Sequence, residues 1–365
     1  MTNKTLKSVW QTLSAADLVK GELPVMEFPE SPWYVKVLLA FSGWLAALFL
    51  LGFLAVGLEF LIENAIASLV TGCAMIAIAF AILNSPKNEF VEHLGLAVSL
   101  AGQLLVLNAI FELVDSYKGI AWFYAALVQV ILTVLMPNTV HRIFSAYLVV
   151  FSLSISVMTS MIGSSGAVSL LTGVSMFGVA FLWLNEFKYI EHMQKIRAIG
   201  YGLILGLIHL KGVGAFGLQN VDWPYADDPE MFSLPFWIGE LVACLALLYC
   251  TRALLLRLNY KMTDSVAYAA FASVVVLGIV SVEAQGITLG VLILVLGFAN
   301  SNRVLMGLGV LSLLSYLSFY YYFMDVSLLY KSFILGGLGL VLLAIRHGIN
   351  SKFGSNPAQE GAAND

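Results

Sequence analysis

Long apolar runs follow one another along nearly the whole chain, interrupted by short polar breaks. Twelve such runs can be marked, at 34–58, 65–83, 90–114, 119–136, 140–162, 167–184, 196–218, 235–256, 265–282, 286–299, 303–323 and 327–345. A helix needs about 20 apolar residues to cross roughly 30 Å of hydrocarbon, and most of the runs are near that length. They read as helices rather than barrel strands. Lipid forces backbone groups to pair internally, and the runs lack the apolar/polar alternation of strands about ten residues long. The ninth and tenth runs are the weakest pair, because they share little length around a bend at 283–286. One of the two is expected to be re-entrant or strongly tilted.

Composition agrees with this pattern. Sixty per cent of the 365 residues are hydrophobic and 11% are charged, roughly half the charge that solvates a soluble domain. The expected fold is therefore all-α, a polytopic bundle of about 12 transmembrane helices arranged in hairpins. Residues 1–33 form an amphipathic cytoplasmic segment, 34–346 the transmembrane domain and 347–365 a flexible cytoplasmic tail. In the first segment, NKTLKSVWQTL places Leu6, Val9, Trp10 and Leu13 on one helical face with Lys4 and Lys7 opposite, the signature of a helix lying along a leaflet. No cleavable signal is expected, since a charged leader precedes a first run too long for a signal-peptide core.

Basic residues set the orientation, because Lys and Arg in short loops stay on the cytoplasmic side. With the N-terminus inside, 15 of the 18 fall on the inner side, leaving Lys118, Lys211 and Lys331 outside. Both termini are then cytoplasmic. Asparagine follows a second pattern: each even-numbered run ends near one, at Asn84, Asn138, Asn185, Asn259, Asn300 and Asn350. Asn tolerates the left-handed conformation that closes a helix, and it can also begin the next one. In MPNTVHR, residues 136–142, Pro137 and Asn138 are expected to stop one helix, while His141 and Arg142 anchor the next at the headgroups. Similar turns, LNSPKNEF and ANSNRV, suggest a weak internal repeat.

Few residues carry candidate chemistry. Asn108, Glu112 and Asp115 share a face of the third run; His209 and Lys211 lie in the outer half of the seventh, and Glu240 begins the eighth. Ionisable residues within hydrocarbon are functional suspects. If these three helices meet, Asn108, Glu112, His209, Lys211 and Glu240 could bind an ion or substrate, with His209 as a titrating group. The competing reading is structural: Glu240 pairs with Lys211 near a wet rim and latches neighbouring helices, while Glu112 turns outward. Gln103 and Gln129 suit interhelical hydrogen bonds, and Gly202 and Gly206 suit close packing. Cys73, Cys244 and Cys250 lie within apolar runs without CxxC spacing, so neither disulfides nor a structural zinc site are expected. The acidic outer loop at 218–235 lacks calcium-loop spacing. No phosphate loop, HExxH motif or deep histidine pair appears. Hence no cofactor, no metal, no catalytic residues and no nucleic-acid partner are expected.

The run ESPWYVKVLLAFSGWLAALFLLGF, NEF at 88–90, LAGQ at 100–103, PNTVHR, and the closing LLYKSFILGGLGLVLLAIR together resemble an uncharacterised bacterial membrane family, domain of unknown function 4401. The resemblance extends over most of the chain. It implies an inner-membrane protein that works beside a partner carrying a GDYxxLxY motif, which this chain lacks. It carries over no catalytic residue. The leading expectation is a non-enzymatic membrane component or scaffold for a partner protein, and the alternative is an ion-coupled secondary transporter.

Overall fold

The computed structural model describes residues 63–84, 89–114, 118–160, 165–216 and 234–323 continuously, with isolated positions elsewhere. Ten α-helices occupy these stretches: α1 Ala65–Asn84, α2 Glu89–Leu113, α3 Lys118–Leu135, α4 Thr139–Met158, α5 Ser165–Leu184, α6 Met193–Phe216, α7 Trp237–Arg257, α8 Ser265–Glu283, α9 Ile287–Ala299 and α10 Arg303–Phe323. They coincide with the second to eleventh apolar runs, and no strand occurs among the described residues. The first and last runs, the amphipathic N-terminal segment, the acidic loop and the tail lie outside the continuously described residues, so the count of twelve does not follow from the structure. Seven helices, α1, α2, α4, α5, α7, α8 and α10, are long and apolar enough to cross a membrane. The protein is membrane-spanning and helical.

The chain divides into two compact units, Met1–Val106 and Leu107–Asp365, with the division falling inside α2. In the first unit, α1 meets α2 along small residues. A Cβ at Gly72 would lie 2.7 Å from the Gly102 carbonyl oxygen, and Ala79 and Ala101 are fully buried. Such seams let helix backbones approach where lipid supplies no hydrophobic drive for association.

In the second unit α4 packs on α3 and α6, α7 on α5, and α10 on α9. The core runs through α5, α6, α7 and α9, with Met176, Trp183, Leu207, Leu247, Leu292, Ile293 and Leu296 among its members. The short helix α9 is the central one. Its 13 residues span about 20 Å at 1.5 Å per residue, short of the hydrocarbon thickness. The weakness expected of the ninth and tenth runs therefore falls on α9, while α8 keeps 19 residues. Gly286 enters α9 at φ 93 with the Tyr316 ring packed where a side chain would stand. Glycine meets both demands, since it carries no Cβ and adopts positive φ freely.

The asparagines perform several tasks rather than one. Asn138 is the N-cap of α4, its side chain accepting the His141 N–H at 2.9 Å. Asn259 alone of the described five has the left-handed conformation, at φ 62. The Asn185 amide bonds back to Phe181 O, and Asn300 reaches across to Trp183 O at 3.0 Å. His141 and Arg142 also depart from expectation, for each is only 3% exposed. The Arg142 Nε donates to Thr133 O at 3.0 Å and its Nη2 to Met136 O, while His141 Nδ1 lies 3.1 Å from Ser145 Oγ. The last carbonyls of a helix have no partner within it, and the guanidinium fork satisfies two of them at once. The MPNTVHR turn is thus held by its own arginine rather than by headgroups.

Candidate functional site

Two groups of buried charge stand out in the second unit. The first gathers where α5, α7 and α9 end and where α4 and α6 begin, here termed the asparagine end. Besides Arg142, it contains Glu186, fully buried and paired with Arg197 at 2.9 Å. Beside it the exposed Arg257 donates to Leu184 O, to Ala299 O at 3.3 Å and to Asn300 Oδ1 at 3.3 Å. One guanidinium thus closes the ends of α5 and α9 together. Asn302 caps α10 through the N–H groups of Val304 and Leu305, and its amide donates to Tyr201 OH at 2.6 Å. These bonds complete helix ends and fix where the helices stop.

The second group lies about 26 Å farther along α7 from Arg257, at 1.5 Å per residue. Glu240, in the first turn of α7, pairs with Lys211 of α6, and the two are 1% and 4% exposed. Both α6 and α7 pack on α5 and α9, and the ion pair joins them. Ser281 of α8 donates from Oγ to the second Glu240 oxygen at 3.0 Å, and the backbone N–H of Thr288, in the first turn of α9, points to Ser281 Oγ at 3.4 Å. Four helices therefore converge on one carboxylate. Lys211 Nζ also stands 5.8 Å from the centre of the Phe236 ring, a cation–π contact that covers the ammonium.

Local sequence explains why Glu240 sits so deep. Its neighbour Gly239 presses against α5, where a Cβ would lie 2.1 Å from the Ser169 carbonyl carbon, and Gly173 lies under the Gly239 carbonyl. That close approach draws the first turn of α7 into the bundle and carries Glu240 with it. The N-terminus of α9 adds a partial positive charge on the same side. The carboxylate thus has two separate electropositive partners, the ammonium directly and the helix end through Ser281. Two buried hydroxyls nearby, Ser169 Oγ and Thr288 Oγ1, have no hydrogen-bond partner among the described residues.

Of the residues singled out from sequence, Lys211 and Glu240 come together, and both are buried in the bundle. His209 does not join them. It is exposed on α6, bound through Nδ1 to Tyr147 OH at 2.5 Å and lying against the Tyr147 and Phe151 rings. Glu112 is exposed on α2 beside Phe111, which packs edge-on against Trp122 of α3. Asn108 is half-buried on α2, and Asp115 lies outside the described residues. Ser281 and Thr288 were missed, because a lone hydroxyl in an apolar helix ordinarily signals packing or a bond to its own backbone. The available signal was Thr288 two residues after the glycine of the bend, at the start of the shortest run.

No curated protein and no solved structure matches the chain. A family model does, over residues 32–351, so that both groups of buried charge lie within the matched region. The chain belongs to the family described as domain of unknown function DUF4401.

Proposed function

We propose that this protein is a multi-pass component of the bacterial inner membrane with both termini in the cytoplasm, and that it serves as a non-enzymatic scaffold for a partner protein. One observation carries the reading: the buried Arg142, Glu186, Lys211 and Glu240 are each bound by groups of the chain itself. Charge invested in helix ends and interhelical links supports a rigid framework. Fifteen of the 18 basic residues on one side favour the asparagine end as cytoplasmic. Membership in a family often encoded beside GDYxxLxY proteins nominates that class as partner. Affinity purification in mild detergent tests the scaffold, with a candidate GDYxxLxY protein as the probe. A stoichiometric complex is expected, and failure of the co-expressed pair to associate would overturn the reading. Labelling from the periplasm in intact cells tests the orientation, since probes at Asn138 and Asn300 should remain unmodified.

Ion-coupled secondary transport is the second reading. It is favoured by a buried carboxylate and lysine linked through Ser281 to the start of the short interior helix α9, an arrangement in which helix ends inside a bilayer can serve ions. Neutral substitutions of Glu112, His209 and Glu240, made separately, distinguish the two. Transport requires that one of them abolish ion-coupled flux in proteoliposomes while the protein remains folded. The scaffold predicts unchanged behaviour or loss of assembly.

A further inference from the structure

We propose that the exposed surface around Arg257, where α5 and α9 end, binds the phosphate of an anionic phospholipid. Arg257, Lys188 and Arg303 hold the headgroup, and Phe187, Tyr189 and Ile190 meet the acyl region beside it. The inference goes beyond the scaffold and transport readings and depends on neither. Buried charge at the asparagine end is spent on helix termini and turns, whereas its exposed cations are left with capacity. Arg257 carries five N–H groups in a fixed fork, and its bonds to Leu184 O, Ala299 O and Asn300 Oδ1 engage only Nη1 and Nη2. The Nε–H has no acceptor among the described residues. All three acceptors are neutral, so an exposed guanidinium stands there with its charge uncompensated.

Two further cations flank it. Lys188 lies four residues past Leu184 and Arg303 four past Ala299, the two carbonyls that Arg257 holds. Four residues span at most about 14 Å. Both connections also fold back, through the Lys188 N–H to Asn185 O at 3.0 Å and the Asn302 N–H to Gly297 O at 2.8 Å. Both side chains are exposed, and neither pairs with a carboxylate among the described residues. Carboxylates are outnumbered on these helix ends. Glu186 is buried against Arg197, Asp264 accepts the Lys261 N–H at 2.8 Å, and Glu191 is exposed, whereas Lys195, Arg252 and Lys261 add to the exposed cations.

The apolar residues between the cations identify what they face. Two 3-10 turns, Glu186–Lys188 and Ile190–His192, lead from α5 to α6, and Phe187, Tyr189 and Ile190 are each more than half exposed there. The Glu186–Arg197 pair ties this connection to α6 at 2.9 Å, which fixes the turn that presents them. α5 is long and apolar enough to cross a membrane, so its end lies at the level where aromatic rings meet headgroups. Basic and apolar side chains interleaved in one short segment suit that interface, and basic pockets between membrane helices recognise anionic headgroups. A soluble phosphate would satisfy the cations and leave the apolar trio uncovered. An anionic phospholipid satisfies both.

The full chain, delipidated in a mild neutral detergent, tests the site by addition of phosphatidylglycerol or of phosphatidylcholine with the same acyl chains. Thermal melting and native mass spectrometry are the readouts. Phosphatidylglycerol is expected to raise the melting temperature saturably and to stay bound, phosphatidylcholine to do neither. Salt at about 1 M, where the Debye length is about 3 Å, should shrink the shift. Glycerol 1-phosphate at equal concentration should not reproduce it, since it lacks acyl chains. Lys188→Gln with Arg303→Gln removes two exposed charges that pair with no carboxylate among the described residues. This variant should melt like the wild type without lipid and bind phosphatidylglycerol roughly thirtyfold more weakly, about fivefold for each charge. Lys188→Arg with Arg303→Lys keeps both charges and should retain binding, which separates lost charge from disturbed folding. Equal shifts from the two lipids, undiminished binding in the neutral double variant, or equal loss in the charge-keeping one would each overturn the site. A shift of the same size from glycerol 1-phosphate would overturn the lipid and leave a soluble phosphate as the ligand.

Discussion

The two ends of the second unit bury charge by different means. At the asparagine end, guanidinium groups meet backbone carbonyls and one buried glutamate, and each contact completes a helix terminus or fixes a turn. At the opposite end, a lysine meets a glutamate inside the packed core, and a serine and a helix N-terminus complete the set. Helix-end carbonyls need donors wherever they are buried, so the arginines answer a demand that the backbone itself creates. The Lys211–Glu240 pair answers no such demand. A buried ion pair is a weak source of stability, since well-packed apolar residues commonly hold a core as well or better. The first end therefore reads as architecture, and the second as an arrangement whose retention calls for a use.

Substitutions can break this comparison in graded steps. Glu240→Ala should have the largest effect, about 3 to 5 kcal/mol, because it strands an ammonium in the core. The paired Lys211→Met, Glu240→Gln variant should recover most of that loss, and a thermal-melting double-mutant cycle measures the difference. If the double variant is as unstable as the single, the pair is architecture after all. Gly239→Ala should cost about 1 to 3 kcal/mol, or more, since a methyl group would meet the Ser169 backbone of α5. Chemical denaturation in mild detergent reads this.

At the asparagine end, Arg142→Ala leaves Thr133 O and Met136 O without their donor. A loss of about 1 to 3 kcal/mol is expected. Arg142→Lys should recover only part of it, because an ammonium cannot present the planar fork. Complete recovery would show that charge, rather than bidentate geometry, matters there. Smallest is Asn138→Ala, about 1 kcal/mol for loss of the α4 cap, with Asn138→Asp expected to retain most of the stability.

The helices were legible in the chain to within a few residues, since hydrocarbon thickness and backbone pairing impose length and composition on each of them. The runs at 265–282 and 286–299 stood out as the weakest pair, and the structure assigns the shortfall to the second, the 13-residue α9. The pairing of Lys211 with Glu240 could also be anticipated, from opposite charges at matching depth in successive runs. What escaped was the direction of side chains around each axis. His209 and Lys211 are two positions apart, so they project toward different faces: one meets Tyr147 of α4, the other Glu240 of α7. Arg142 looked like a headgroup anchor because sequence reports that a charge lies near a helix end without reporting whether it turns back over the preceding one.

Sequence alone thus determined the solvent of this protein, its helical class, the approximate bounds of its apolar segments and its family resemblance. These depend on composition and length, which are local properties. Only the tertiary structure decided which hydroxyl reaches the carboxylate, which helix lies at the centre and which charges cap helix ends. Those outcomes depend on rotation and close approach of helices far apart in the chain, where a single glycine against Ser169 determines how deeply a glutamate is drawn into the core.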